Sequence, residues 1–127
     1  MNVLSVQNLS KNYGAIKALD QVNFNVEKGS VFGILGLNGS GKTTLLAIAM
    51  NVLYANSGTY VWNESNNIDQ ASQRKKIGTL LETPNFYPYL SAFSNLHITA
   101  AIKGCSEEDI PRVLKIVNLY ERKDHVF

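Results

Sequence analysis

The sequence predicts an α/β domain with an antiparallel β portion, and three observations carry that prediction. Two early segments alternate apolar and polar residues: Leu4-Ser5-Val6-Gln7-Asn8-Leu9 and Val22-Asn23-Phe24-Asn25-Val26. A third segment, Val31-Phe32-Gly33-Ile34-Leu35, is apolar without alternation and runs into a glycine-rich loop. Beyond that loop the apolar residues recur at helical spacing.

Composition narrows the class further. The 127 residues are 45% hydrophobic and 17% charged, with a formal net charge of +2. Disordered chains combine low hydrophobicity with high net charge, so this balance describes a globular chain. The charge is too small to argue for a nucleic-acid partner or an anionic membrane surface. One cysteine, Cys105, excludes an internal disulfide and a four-cysteine zinc site. The densest apolar run, Leu45 to Met50, is far short of the ~20 residues a bilayer needs. Met1 to Lys11 has polar residues every second or third position and is not read as a signal peptide. Asparagines are frequent but scattered (Asn63, Asn66 and Asn67 lie together), and they read as turns and composition bias.

The elements follow in order. The two alternating segments are half-buried strands, with Lys28-Gly29 turning the chain after the second. Val31–Leu35 reads as a strand buried on both faces, as in a parallel sheet. Leu45, Ile48, Ala49 and Val52 share one face of a helix. Asn56-Ser57-Gly58 is a turn and Thr59–Trp62 a strand; Ile77–Leu81 is another strand candidate, after the solvated basic turn Arg74-Lys75-Lys76. Ser91 is an N-cap for a helix running to Lys103, and Gly104 is its stop. Ser106-Glu107-Glu108-Asp109 resembles a capping box, although Pro111 fits that start poorly and favours Asp109 as the cap. The helix behind it presents Ile110, Val113, Leu114 and Val117 on one face. His97 falls on the apolar face of its helix, beside Phe93 and Ala101, and reads as a structural residue; His125 lies in a polar tail.

The chemistry lies in Gly36-Leu37-Asn38-Gly39-Ser40-Gly41-Lys42-Thr43, which matches G-x-x-x-x-G-K-[ST] in full. Backbone N–H groups can wrap a polyphosphate only where side chains are absent and some residues take positive φ, which requires glycine. The following helix aims its unpaired N–H groups and its positive dipole end at the same phosphates. Lys42 supplies a point charge to the β- and γ-phosphates, and the Thr43 hydroxyl a ligand for Mg²⁺. A buried strand before the loop and an amphipathic helix after it supply the context this motif needs.

With the loop, Thr44 and the upstream segment Leu9-Ser10-Lys11-Asn12-Tyr13-Gly14, the chain resembles the nucleotide-binding domain of an ABC (ATP-binding cassette) transporter. Ala18-Leu19-Asp20-Gln21-Val22-Asn23-Phe24 resembles that family's second strand, and the resemblance extends from about Leu4 to Leu119. It implies a partial P-loop NTPase fold. Positions 1–90 would form the β portion and P-loop core, and 91–127 the start of a helical subdomain, with the C-terminal half absent. By position alone Tyr13 is a tyrosine packed at a strand end; the resemblance makes it a platform for adenine, where ring stacking buries area. The ATP-binding set it implies is Tyr13, Gly36, Leu37, Asn38, Gly39, Ser40, Gly41, Lys42, Thr43 and Thr44, with Mg²⁺ at Thr43 and Glu82.

Glu82 is a departure. The family carries a glutamine at the end of this strand, reaching the Mg²⁺ and the attacking water; Glu82 resembles the subgroup linked to export of bacitracin-like and lantibiotic peptides. Leu80-Leu81-Glu82 is not read as a Walker B strand, because Gly78-Thr79 interrupt the apolar run. Phe86-Tyr87-Pro88-Tyr89-Leu90 falls where the family docks a coupling helix of its transmembrane permease. Phe86 and Tyr87 suit either that interface or the core of the helical subdomain, while Phe93 and Leu96 suit the core. The resemblance further implies a second nucleotide-binding domain as partner, no nucleic acid, and a cytoplasmic place on the inner face of the membrane.

A hydrolase of this family also needs an apolar strand ending in Asp, a general base, a signature segment and a switch histidine. The sequence holds no run of four apolar residues followed by an acid and no Ser-Gly-Gly. The expectation is therefore nucleotide binding with little turnover. A small P-loop kinase or GTPase is the alternative enzyme, although the Asn-Lys-x-Asp of guanine readers is absent. A non-transport ABC ATPase is the other alternative.

Overall fold

The structure is a computed structural model that describes residues 1–63 and 70–126. It resolves into two compact units, Met1–Arg74 and Lys75–Phe127. Their boundary lies earlier in the chain than position 90.

The first unit is built on a three-stranded antiparallel sheet of order β2-β1-β3, with β1 at Asn2–Tyr13, β2 at Ile16–Glu27 and β3 at Ser57–Trp62. The alternating segments form strands as expected, and both are longer than their alternating cores. Leu4, Val6 and Leu9 of β1 are buried, but the period slips by one between Val6 and Leu9 because β1 carries a bulge there. Asn8 sits in the bulge at φ 48°, and its backbone N–H donates to Asn23 Oδ1 at 2.9 Å. Opposite, Gly58 has φ 85°, and a Cβ built there would collide with the Asn8 carbonyl. Only glycine fits at that crossing.

Helix α1, Lys42–Ala49, lays Leu45 and Ile48 against the sheet, where they meet Leu4, Val6, Leu9 and Leu19. Fully burying a side chain of this size contributes about 1.5–3 kcal/mol. Trp62 Nε1 donates to the Ala49 carbonyl at 2.9 Å and ties β3 to the helix end. The helix is shorter than the periodicity predicts. Asn51 turns left-handed at φ 58° and the Val52 N–H returns to the Ala47 carbonyl, so Val52 ends up exposed. The same conformation recurs at other asparagines. Asn8, Asn51, Asn63 and Asn118 all take positive φ, a region that Asn tolerates better than most side chains. Their abundance is therefore turn chemistry as well as composition; Asn66 and Asn67 lie outside the described residues.

Val31–Leu35 corrects the sequence reading. The segment forms no strand, since among the described residues no ladder pairing reaches it. One face is covered: Phe32 stacks on Phe24 of β2 with ring centroids 5.0 Å apart, and Ile34 packs on the core. The other is bare, with Val31 102% and Leu35 95% exposed. The composition of the segment calls for cover on both faces, and this sheet supplies one.

Basic residues Arg74 and Lys75 close the short helix α2, Gln70–Lys75, rather than forming a turn. Burial pushes the Tyr60 phenol above its ordinary range, and the charge of Arg74 opposes that shift.

The second unit holds α3 (Ala92–Lys103), α4 (Asp109–Ile116) and a 3₁₀ turn at Tyr120–Arg122. Ser91 caps α3 as expected, its Oγ accepting from the Ser94 N–H at 3.1 Å, and Gly104 ends it at φ 68°. Phe93 and Leu96 pack against the core of Ala100, Ile110 and Leu114, as expected. In α4 the cap position is Glu108 with no side-chain bond, while Asp109 instead pairs with Arg112 at 2.9 Å. Pro111 then lies in the first turn, where its missing N–H is harmless. Val113 and Val117 remain partly exposed, so the apolar face is narrower than the spacing suggests. His97 is also exposed rather than packed on an apolar face, with Nδ1 3.2 Å from Glu107 Oε1. Ile77–Leu81 forms no strand; it is irregular, with Leu80 exposed.

A bare apolar face on an unpaired segment favours self-association. The 127-residue chain is expected to elute above monomer mass in size exclusion with light scattering, and Val31→Lys to shift it toward monomer. A parent chain that is monomeric at micromolar concentration would refute this account.

Candidate functional site

The loop 36–41 leaves the apolar segment and turns into α1 through glycine. Gly39 and Gly41 take φ 82° and 93°, and the Ser40 N–H donates to the Leu37 carbonyl at 3.1 Å. A Cβ at Gly36 would press on the Ser40 hydroxyl, which would have to turn away. Gly41 is the N-cap of α1, and no carboxylate stands in the first turn. The cap residue thus brings no side chain to the first N–H groups of the helix, which face an incoming anion with the positive end of the dipole.

Lys42 folds back over the loop. Its Nζ donates to the carbonyls of Gly36 and Leu37 at 2.7 Å each, and lies 3.3 Å from Ser40 Oγ. The ammonium is therefore held inside the concavity that the backbone encloses. Thr43 is exposed and Thr44 half-buried on the same first turn, while Leu37, Asn38, Gly39 and Ser40 are open to solvent.

A backbone contact connects this loop to Tyr13. A Cβ built on Gly41 would collide with the Ala18 carbonyl of β2, so the two main chains touch. Strand pairing sets Tyr13 across from Ile16 and Asn12 across from Lys17. Ala18 is one residue beyond, so the loop ends against the hairpin that carries Tyr13. The Tyr13 ring is 48% exposed, with Lys11 Nζ 5.5 Å from its centroid. The hairpin that meets the loop at Ala18 thus carries an exposed phenol with a lysine over its face.

In the second unit Glu82 sits at φ 59°, with the Thr83 N–H donating across it to the Leu81 carbonyl at 2.7 Å. That three-residue turn is strained for a residue with a side chain, and such strain concentrates at functional positions. Phe86 and Tyr87 are both about half exposed. Sequence reasoning missed Asn95, which is 3% exposed and hydrogen-bonded throughout; a single polar residue on a helix carries no distinguishing signal in sequence.

The sequence model of the ABC transporter family matches residues 19–127. The chain belongs to that family. This ABC transporter chain is 34% identical to the bacitracin transport ATP-binding protein BcrA of Enterococcus faecalis, over 98% of its own length and 41% of that protein. It is 36% identical to the lantibiotic transport ATP-binding protein SrtF of Streptococcus pyogenes, over 92% of its own length and 50% of that protein. It thus spans about half, or less, of these relatives. Among solved structures, the ATP-binding subunit of an ABC transporter superposes with TM-score 0.84 at 28% identity, covering 98% of this chain and 54% of that one. A dimeric ATP-binding cassette in a post-hydrolysis state, bound to ADP and Pi, superposes with TM-score 0.81 at 26% identity, covering 97% and 61%. The fold is part of an ABC ATPase cassette, an α/β arrangement with an antiparallel sheet. Among the described residues no helix is long and apolar enough to cross a membrane.

The contact at Gly41 sets an order of sensitivity. Gly39→Ala introduces backbone strain of roughly 1 kcal/mol; Gly41→Ala adds a main-chain collision. Urea unfolding is expected to show a loss for Gly41→Ala roughly twice that for Gly39→Ala, and equal losses would refute the contact.

Proposed function

We propose that the chain is the phosphate-holding part of an ATP-binding subunit that drives export through an ABC transporter. One observation carries the reading: the loop 36–43 ends on a helix N-terminus while its Gly41 rests on the hairpin that bears Tyr13. A polyphosphate and an aromatic base are thereby served from one end of one sheet. Gly36, Leu37, Asn38, Gly39, Ser40 and Gly41 supply backbone N–H groups, Lys42 a point charge, Thr43 and Thr44 hydroxyls, and Tyr13 the stacking face.

The donors suit Mg²⁺, which is usually bound by one or two protein oxygens together with substrate phosphates and water. Thr43 is the hydroxyl ligand in this reading, and Glu82 the carboxylate that stands where the family's glutamine would. Bound Mg²⁺ would neutralise charge on the phosphates. A carboxylate is a harder and more charged ligand than an amide, so Glu82 makes metal binding stronger.

The partners proposed are a transmembrane permease, met by Phe86 and Tyr87, and a second ATP-binding domain. The place of action is the cytoplasmic face of the membrane, and the cargo a peptide antibiotic or drug. The names of BcrA and SrtF support the peptide class. Hydrolysis is proposed for the whole subunit; this stretch holds no Ser-Gly-Gly and no run of four apolar residues followed by an acid.

Fluorescence titration of the full-length protein with an N-methylanthraniloyl ATP analogue tests the site. Lys42→Ala is expected to weaken binding ten- to a hundredfold, since charge-assisted bonds are worth ~1.5–3 kcal/mol. Tyr13→Ala is expected to weaken it by at least ~fivefold, from a lost stacking contact of ~1–3 kcal/mol. Parent-like affinity in both variants would overturn the reading. For the metal, Glu82→Gln is expected to raise the Mg²⁺ concentration needed for half-maximal nucleotide binding; superimposable Mg²⁺ titrations would remove Glu82 from the site.

A further inference from the structure

A buried, fully bonded polar side chain of the second unit lies outside the nucleotide loop. Asn95, in the second turn of α3, is 3% exposed. Its Oδ1 accepts from the Tyr87 N–H at 2.8 Å, and its Nδ2 lies 3.1 Å from the Tyr87 carbonyl. The same Nδ2 reaches the carbonyls of Leu90 at 3.3 Å and Ser91 at 3.1 Å. One buried amide therefore grips both ends of the segment Tyr87–Leu90. That segment is itself a turn, with Pro88 second and the Leu90 N–H donating to the Tyr87 carbonyl at 3.1 Å.

The grip holds something outward. Tyr87 and Tyr89 are exposed, their rings 5.7 Å apart and tilted by 53°. Exposed aromatic rings on a flexible loop would lose much of their contact energy to ordering on binding. Here a buried amide, a proline and a turn bond order the backbone beforehand. An amide this fully used is costly to bury unless its geometry is satisfied, and it is satisfied only when the turn keeps this shape.

We propose that Asn95 is the positioning residue of the partner-facing loop. It fixes the Tyr87–Leu90 turn so that the Tyr87 and Tyr89 rings form a preorganised platform for a helical segment of the permease. This rests on the reading that Phe86 and Tyr87 face that partner. Asn95 touches neither nucleotide nor cargo; it acts through the two rings.

Purified full-length subunit is titrated onto source-cell membrane vesicles stripped of peripheral proteins, with liposomes of the same lipids as the blank. Asn95→Ala is expected to weaken vesicle binding about tenfold, as is the pair Tyr87→Ala with Tyr89→Ala. Adding Asn95→Ala to that pair is expected to change binding by less than ~twofold, because the rings it positions are gone. Affinity for the ATP analogue stays at the parent value in every variant. If the tyrosine pair weakens binding and Asn95→Ala does not, the docking reading stands and the positioning role fails. If Asn95→Ala weakens binding as much without the tyrosines as with them, Asn95 is a general fold residue and the proposal is overturned. If the tyrosine pair binds as the parent, the docking reading fails and the inference falls with it. Hydrogen exchange on the unmutated protein needs no variant to fold: the Tyr87 N–H is expected to be protected like the α3 core, and rapid exchange there would overturn the grip.

Discussion

The Ala18 carbonyl of β2 occupies the space that a side chain at position 41 would need, and the arrangement of the candidate site depends on that contact. It seats the end of the loop on the sheet, sets where α1 begins, and brings the helix N-terminus to the hairpin of Tyr13. A residue with a Cβ there would have to move the loop or the strand, and either move separates the loop from the hairpin that carries Tyr13. Glycine at this position thus serves two ends, the left-handed turn at φ 93° and the main-chain approach. Lys42 completes the arrangement by filling the loop with its own ammonium, bonded to two backbone carbonyls.

The apolar segment before the loop has the opposite character. Its inner face is paid for by Phe24 and the core of the first unit, and its outer face has no cover among the described residues. Val31–Leu35 reads as a buried strand and Ile77–Leu81 as a strand candidate, yet neither is paired among the described residues. Composition reports the environment a segment is suited to, and pairing depends on which partners are at hand.

Much of the site was legible in the sequence for a physical reason. Phosphate cradles use backbone N–H groups, so they must be written in glycines at fixed spacing, and a helix must follow. The cap of α3 was legible likewise, since Ser91 and Gly104 act on backbone groups within a few residues of themselves. Asn95 was illegible, because its partners are carbonyls and an N–H in a loop whose approach the helix alone does not specify. His97 was misplaced on an apolar face for the same reason: the spacing counts apolar neighbours along the helix and says nothing of Glu107 across the turn. The asparagines read as turns, and Asn8, Asn51, Asn63 and Asn118 do take positive φ where the chain changes direction.

By itself, then, the sequence determined the glycine spacing of the loop and the helix after it, the α/β class with an antiparallel portion, the two alternating strands and the stops of α3. All of these rest on local backbone rules or on short-period patterning. Tertiary structure decided that Gly41 rests on Ala18 of the hairpin that carries Tyr13, that one face of Val31–Leu35 is covered and the other bare, and that a buried amide holds the aromatic turn. Those outcomes depend on which backbone atoms approach each other across long stretches of chain, and no local pattern encodes that approach.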